Sequence, residues 1–124
     1  MKYYEILMLL GPDATQEVCD EIKNKIQSVV VDDLHGEIKT FDKWGKYLLA
    51  YQIRKNSYGI YLLVRFGVKD SKALATLSSL FKFKYESTIL RSIFVKLQKN
   101  FSDSYYRPDS LEDAPKSDRT FNTT

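Results

Sequence analysis

The spacing of apolar residues along this chain changes from strand-like to helical and back twice, and this order restricts the fold more than any other feature. Lys2 to Leu10 alternates with a period of two, which is typical of a strand with one buried side. From Thr15 to about Leu34 the apolar residues recur at helical spacing, which predicts a helix with one stripe against a core. That stripe consists of Val18, Cys19, Ile22, Ile26, Val29 and Val30.

The remainder of the chain repeats the pattern with an extra strand. Glu37 to about Arg54 predicts a long strand with a bulge near Trp44-Gly45, because a glycine inside a strand marks an irregularity. Residues 55–59 are a turn by composition, and Ile60 to Val68 predicts the returning strand of a hairpin. Asp70 can cap a second, shorter helix, and Thr88 to Leu97 predicts a last strand whose poor alternation leaves the side occupied by Arg91 open.

The predicted order is therefore β-α-β-β-α-β. Right-handed crossovers around both helices then give an α+β, ferredoxin-like domain, a four-stranded antiparallel sheet with both helices on one face. We expect this domain to span residues 1–99. Residues 100–124 are rich in Ser, Asp, Thr, Asn and Pro and poor in aliphatic residues, which predicts a flexible C-terminal tail.

Charge is distributed unevenly, although the formal net charge of the 124 residues is only +3. Residues 13–34 sum to −4, whereas residues 37–69 sum to +5 and residues 71–97 to +4. One side of a small domain could then present a positive field to a phosphate backbone. A pair of merely solvated faces explains the same pattern equally well.

The inventory of reactive side chains argues against catalysis. His35, the only histidine, follows the long helix, where an imidazolium would complement the helix dipole, and Cys19 lies on an apolar stripe. One histidine and one cysteine do not make a metal site, and the five glycines form no nucleotide-binding pattern. The apolar run from Ile6 to Leu10 is too short for a signal peptide or a membrane span. We therefore expect a soluble protein that is not an enzyme, with no cofactor, metal or small-molecule substrate.

A binding module remains, and the bare face of the sheet is its natural surface. Tyr61, Leu63 and Arg65 alternate on one side of the third strand, and Tyr3 lies on the corresponding side of the first strand. These four residues are the candidate protein-partner face. Exposed aromatic rings there could instead stack on RNA bases.

The segment from Trp44 to Lys55 closely resembles the signature of the bacterial small-subunit ribosomal protein six family. In that signature a glycine is followed four residues later by Leu-Ala-Tyr, then by any residue, by Ile and commonly by a basic residue. Gly45 and the segment from Leu49 to Lys55 fit this pattern. Three further motifs agree in order. They are Tyr4-Glu5 before the apolar run of the first strand, Gly59-x-Tyr61 at the start of the third strand and Ile89-Leu90-Arg91 at the start of the last. The resemblance covers about residues 2–97; the family usually has basic or polar residues at the positions of Tyr47 and Leu48.

This resemblance implies a structural constituent of the small ribosomal subunit, in the cytoplasm or in an organelle. It implies binding to the central, or platform, domain of 16S-type ribosomal RNA, together with small ribosomal protein eighteen through the sheet surface. The candidate RNA contacts are all basic side chains, whose binding to RNA phosphates would depend on salt concentration. They are Lys2, Lys46, Arg54, Lys55 and Arg91.

Two alternatives stay open at this point. A free-standing ferredoxin-like protein could read single-stranded RNA or regulate it with the same open face. A small enzyme of this fold, such as an acylphosphatase, would need a basic, glycine-rich phosphate loop after the first strand. Residues 11–14 contain one glycine, no basic residue and one acidic residue, so this alternative ranks last.

Overall fold

The computed structural model of the protein describes residues 1–111. Its strands and helices follow in the predicted β-α-β-β-α-β order, and neighbouring strands are antiparallel in the sheet order β2-β3-β1-β4. The ferredoxin-like architecture is thus confirmed, with β1 and β3 at the centre. The elements are β1 (Lys2–Leu10), α1 (Gln16–Gln27), β2 (Glu37–Ile53), β3 (Asn56–Val68), α2 (Lys72–Lys84) and β4 (Ile89–Leu97).

Short polar side chains start both helices. The Thr15 hydroxyl accepts a hydrogen bond from the backbone N–H of Val18 at 3.2 Å, so Thr15 caps α1. The carboxylate of Asp70 accepts one from the N–H of Lys72 at 3.0 Å at the start of α2. Such bonds satisfy N–H groups that have no partner within the helix.

The end of the first helix differs from the prediction. α1 continues as a π-helical stretch over Ser28–Asp33, and a left-handed residue follows it. That residue is His35, with φ 56°, and not the expected Gly36. Gly36 serves close packing instead, because a Cβ there would lie 2.3 Å from the carbonyl oxygen of Gly67.

The core lies between the helices and one face of the sheet. Alternate residues of β1 and β3 point into it, and Ile6, Leu62 and Phe66 have no exposed surface. Ile22 and Leu77 meet them from the two helices and are equally buried. Each large aliphatic or aromatic side chain buried in this way contributes about 1.5–3 kcal/mol to stability. Cys19 is a small, buried member of the same core, as predicted.

The β2–β3 hairpin is longer than the sequence pattern indicates. Its turn consists of Arg54 and Lys55, with φ values of 48° and 66°, and Ile53 pairs with Asn56 across it. The predicted turn over residues 55–59 was wrong, because residues 56–59 already belong to β3. The predicted bulge is confirmed, since the register shifts between Lys43 and Gly45 and Gly45 has a φ of 103°.

Candidate nucleic-acid and protein interfaces

Three connections meet at one end of the sheet, which we call the loop end. They are the β1–α1 connection, the β2–β3 turn and the α2–β4 connection. The N–H of Gly11 donates to the carbonyl oxygen of Thr88 at 3.0 Å, which joins the first and third of them. The guanidinium of Arg54 donates to the carbonyl oxygen of Glu86 at 2.7 Å. The hairpin turn is therefore held against the end of α2.

A surface cavity of about 190 Å³ at the loop end is lined by three cationic side chains and is named here the basic cleft. Its cations, from three different elements, are Arg54, Lys82 and Arg91, and the hydroxyls of Ser78 and Ser92 add hydrogen-bond donors. Cations and hydroxyls around one cavity suit a phosphate group. Phe81, Glu86, Ile89 and Leu90 complete the lining.

A second cavity, of about 440 Å³, shares Arg54 and Glu86 with the basic cleft and includes Phe83 and Lys84 in its lining. The Phe83 ring is 91% exposed, and in the hairpin the Tyr51 ring is 77% exposed. Large rings left in water beside cations are suited to stacking on unpaired bases. Sequence reasoning missed Lys82, Phe83 and Lys84, although an aromatic residue between two lysines was a visible signal.

The predicted RNA-binding residues do not form one group. Arg54, Lys55 and Arg91 lie at the loop end, where Arg91 pairs with Leu9 and therefore projects from the sheet face without helices. Lys46 pairs with Ile60 and so lies on the helix-bearing side of the sheet. Lys2 pairs with Val68 at the opposite end of β1, about 26 Å away at the usual rise per residue.

The face of the sheet without helices is called the open face. All four predicted partner-face residues lie on it, because Tyr61, Leu63 and Arg65 alternate along β3 and Tyr3 pairs with Gly67. However, they are not freely accessible. Leu63 is 2% exposed and Arg65 is 7% exposed. Part of the reason is a later segment of the chain.

Residues 101–111, named here the covering segment, run across β2 and β3 on the open face. The Phe101 ring lies 5.4 Å from that of Tyr3, and the N–H of Leu111 donates to the carbonyl oxygen of Lys46 at 2.7 Å. From the sequence, these residues were expected to belong to a flexible tail, with docking of Tyr105-Tyr106-Arg107 on a partner as the alternative. The domain boundary at residue 99 and the mobility of the tail stay predictions, and residues 112–124 lie outside the described residues.

An aromatic cluster lies beneath the covering segment. The ring of Trp44 lies 6.1 Å from that of Tyr61 and is stacked on that of Tyr105 at 6.3 Å and 15°. Tyr47 packs edge-on against Tyr61 at 5.4 Å, and its hydroxyl donates to the carbonyl oxygen of Pro108. The Nε1 of Trp44 is buried without an acceptor within residues 1–111.

Two polar side chains fasten the covering segment to β2. The Tyr105 hydroxyl donates to a carboxylate oxygen of Asp42 at 2.6 Å. Burial, and then the bond to Asp42, raise the pKa of Tyr105 to about 12. The guanidinium of Arg107 lies 3.7 Å from Asp42 and donates to the carbonyl oxygen of Trp44 at 3.0 Å.

Arg65 links the covering segment to the centre of the sheet. Its Nε lies 2.9 Å from a carboxylate oxygen of Glu5, and its Nη1 donates to the carbonyl oxygen of Ser102 at 2.7 Å. The guanidinium carbon lies 4.8 Å from the ring centre of Tyr105 and 5.4 Å from that of Phe101. A buried cation needs such partners, because unpaired burial would be costly.

The other half of the open face, over β1 and β4, carries a strip of exposed apolar residues. Ile93 pairs with Leu7, and Val95 pairs with Glu5, so they share one side of the sheet. Ile93 is 58% exposed and Val95 is 44% exposed. Adjacent apolar side chains in water mark a potential protein contact.

Residues 1–111 contain no group of three or more His, Cys, Asp or Glu side chains able to hold a metal ion. None of their helices is long and apolar enough to cross a membrane.

Comparison with known proteins adds independent information. The family model of ribosomal protein S6 matches residues 3–96. The small ribosomal subunit protein bS6 of Clostridium acetobutylicum is 34% identical over 99 residues, or 80% of this chain and 100% of the relative. Its counterpart from Thermoanaerobacter pseudethanolicus is 32% identical over 77% of this chain and 97% of the relative. That of Syntrophobacter fumaroxidans is 33% identical over 82% of this chain, but only 66% of the relative.

The fold has a counterpart among solved structures. The crystal structure of 30S ribosomal protein S6 from Thermotoga maritima superposes with a TM-score of 0.67 over 77% of this chain and 87% of that chain. The sequence identity is 21%, so this likeness supports the fold alone.

Proposed function

This chain belongs to the ribosomal protein S6 family, and on that premise we propose that it binds the central domain of 16S-type ribosomal RNA together with small ribosomal protein eighteen. Membership makes it a structural protein of the small ribosomal subunit and not an enzyme. The RNA site and the protein partner are the parts proposed here.

The observation that carries the proposal is the grouping of cations and exposed rings at the loop end. Arg54, Lys82 and Arg91 surround one cavity, and the exposed rings of Phe83 and Tyr51 belong to the adjoining α2 and hairpin. The cations would neutralise phosphates, while the rings would stack on bases released from a bulge or junction. Lys2 and Lys46, which lie elsewhere, stay predicted contacts at the margin of this site.

The open face supports the protein part of the proposal. Tyr3, Tyr61, Leu63 and Arg65 share it, and the strip of Leu7, Ile93 and Val95 continues it to the edge of the sheet. Apolar surface of this kind is worth burying against another protein. We expect small ribosomal protein eighteen to contact the exposed strip first.

The test measures binding of the full chain to an RNA fragment of the central domain at several salt concentrations, with and without small ribosomal protein eighteen. Replacing both Arg54 and Lys55 by Ala should weaken binding and reduce the slope of log affinity against log salt by about two, one for each lost phosphate contact. Phe83→Ala should weaken binding without changing that slope, because a ring releases no counterions.

A matched control replaces two exposed lysines away from the loop end, Lys25 and Lys72, by Ala. It changes the net charge by the same amount and should leave the slope nearly unchanged. Equal slopes for the wild type and the Arg54/Lys55 variant would exclude the hairpin turn as a contact. Unchanged RNA affinity on adding small ribosomal protein eighteen would exclude the joint binding.

A further inference from the structure

We propose that the open face over β2 and β3 is a binding site for an extended peptide segment carrying an aromatic ring and, two residues later, an arginine. The covering segment is its resident ligand, through Tyr105 and Arg107. The inference rests on the proposed function in one respect, the existence of a protein partner. That partner reaches the site by displacing the covering segment with a segment of its own that carries an aromatic ring and, two residues later, an arginine.

The covering segment makes contacts of the kind that a bound peptide makes. Its residues form no helix or strand. Recognition comes from one stacked ring, Tyr105 on Trp44, and one cation, Arg107, beside Asp42. Backbone groups supply the rest, because Arg65 and Tyr47 donate to carbonyl oxygens of the segment. Side-chain pockets and backbone hydrogen bonds together define peptide sites on sheets.

The side chains that contact the covering segment belong to the strands of the sheet. Asp42, Trp44 and Tyr47 are held by β2, while Tyr61 and Arg65 are held by β3. Arg65 has Glu5 as an ion-pair partner at 2.9 Å that does not depend on the covering segment. Side chains held on regular strands lose less conformational freedom when a ligand binds, which reduces the cost of binding.

The segment is also poised to leave. Tyr106 is 83% exposed and Leu111 is 57% exposed, and of the covering segment only Ser110 is buried. Segments with few buried apolar side chains open locally, without unfolding of the domain. With the segment in place, the N–H of Trp44 Nε1 is buried without an acceptor within residues 1–111. The segment lies beyond residues 3–96, which match the family model.

The experiment supplies the ligand in trans to the full chain. In the wild type, the tethered segment has a high effective concentration and excludes a free peptide. A full-length variant with Tyr105→Ala and Arg107→Ala should release its own segment. Trp44, the only tryptophan, reports this release through its fluorescence emission and its quenching by acrylamide.

A synthetic peptide of residues 100–111 is the probe. It should bind the variant and restore the emission of the wild type. The same peptide with Tyr105 and Arg107 both replaced by Ala should bind more weakly, by a factor of about ten at least. A peptide carrying only Tyr106→Ala, at the exposed neighbouring position, is the matched control and should bind as the unchanged peptide does.

Three results would overturn the proposal. They are equal binding to the wild type and the variant, binding to neither, and equal affinity of the double-Ala peptide.

Hydrogen exchange of the wild type is a second test. The amide of Leu111 should exchange by local opening, and therefore faster than the amides of Leu62 and Val64. Exchange of all three through global unfolding would make the segment an integral part of the fold. Neither measurement involves RNA or a second protein, so a failure here is distinct from a failure of the proposed function.

Discussion

The two faces of the sheet are closed by different means. On the face that carries the helices, alternate residues of regular strands meet helical stripes, and side chains such as Ile6 and Phe66 lose all contact with water. On the open face, an irregular segment contributes rings, ion pairs and backbone hydrogen bonds, and it reaches only half of the surface. Ile93 and Val95 remain exposed on the other half.

This difference shows how one small sheet serves stability and binding separately. Burial of apolar surface is the dominant favourable term in folding, and it is concentrated on the helix-bearing face. Partly exposed contacts such as the ion pair of Arg107 with Asp42 contribute about 1 kcal/mol or less each, so this part of the open face can exchange its contacts at small cost. The loop end joins the two faces and carries the cations.

The largest expected effect comes from removing a ring on the helix-bearing face. Phe66→Ala should lower the free energy of unfolding by about 3–5 kcal/mol, through lost burial and the cavity left behind. The milder Ile6→Val, which should cost about 0.5–1.5 kcal/mol, remains measurable if the first variant does not fold. Urea denaturation gives both values.

The matched change on the open face is Ile93→Ala. Because Ile93 is 58% exposed, the loss should stay within about 0.5 kcal/mol. A loss as large as that of Phe66→Ala would abolish the distinction between the two faces.

An intermediate effect is expected from ending the chain at Lys99. This removes the hydrogen bonds that Arg65 donates to Ser102 and that Tyr105 donates to Asp42, and we expect the free energy of unfolding to fall by about 1–3 kcal/mol in thermal or urea denaturation. A chain ending at Leu111 retains the described contacts and is the control. Identical stability of the two shortened chains would mean that the covering segment contributes no net stability.

The smallest effect is a dependence on pH. The pKa of Tyr105, raised to about 12, lies above the ordinary value near 10, so the folded chain favours the protonated phenol. Its contribution is therefore fully present below pH of about 10 and is lost as the pH rises through about 12. The stability difference between the wild type and Tyr105→Phe should shrink over this interval. A difference that stays constant, or grows, would contradict the bond to Asp42.

Local patterns predicted the fold and the placement of several candidate site residues in it. The alternation in β3 correctly assigned Tyr61, Leu63 and Arg65 to one side, because side chains alternate strictly along a strand. Sequence reasoning named Arg54 and Lys55 of the hairpin turn as candidates for RNA binding but did not name Lys82 and Lys84, which stay candidates from the structure. The side of Arg91 could not be predicted, since it depends on the register shift between Leu9 and Leu10.

By itself, the sequence determined the order of the strands and helices, the buried side of β1, β3 and the two helices, and the family. These properties depend on contacts between near neighbours in the chain, which hydrophobic spacing records directly. Only the tertiary structure decided that Arg54 and Arg91 line one cleft and that residues 101–111 cover half of the open face. Tyr105 and Asp42 are 63 positions apart, and no periodicity encodes a contact made through a single ring and one hydrogen bond.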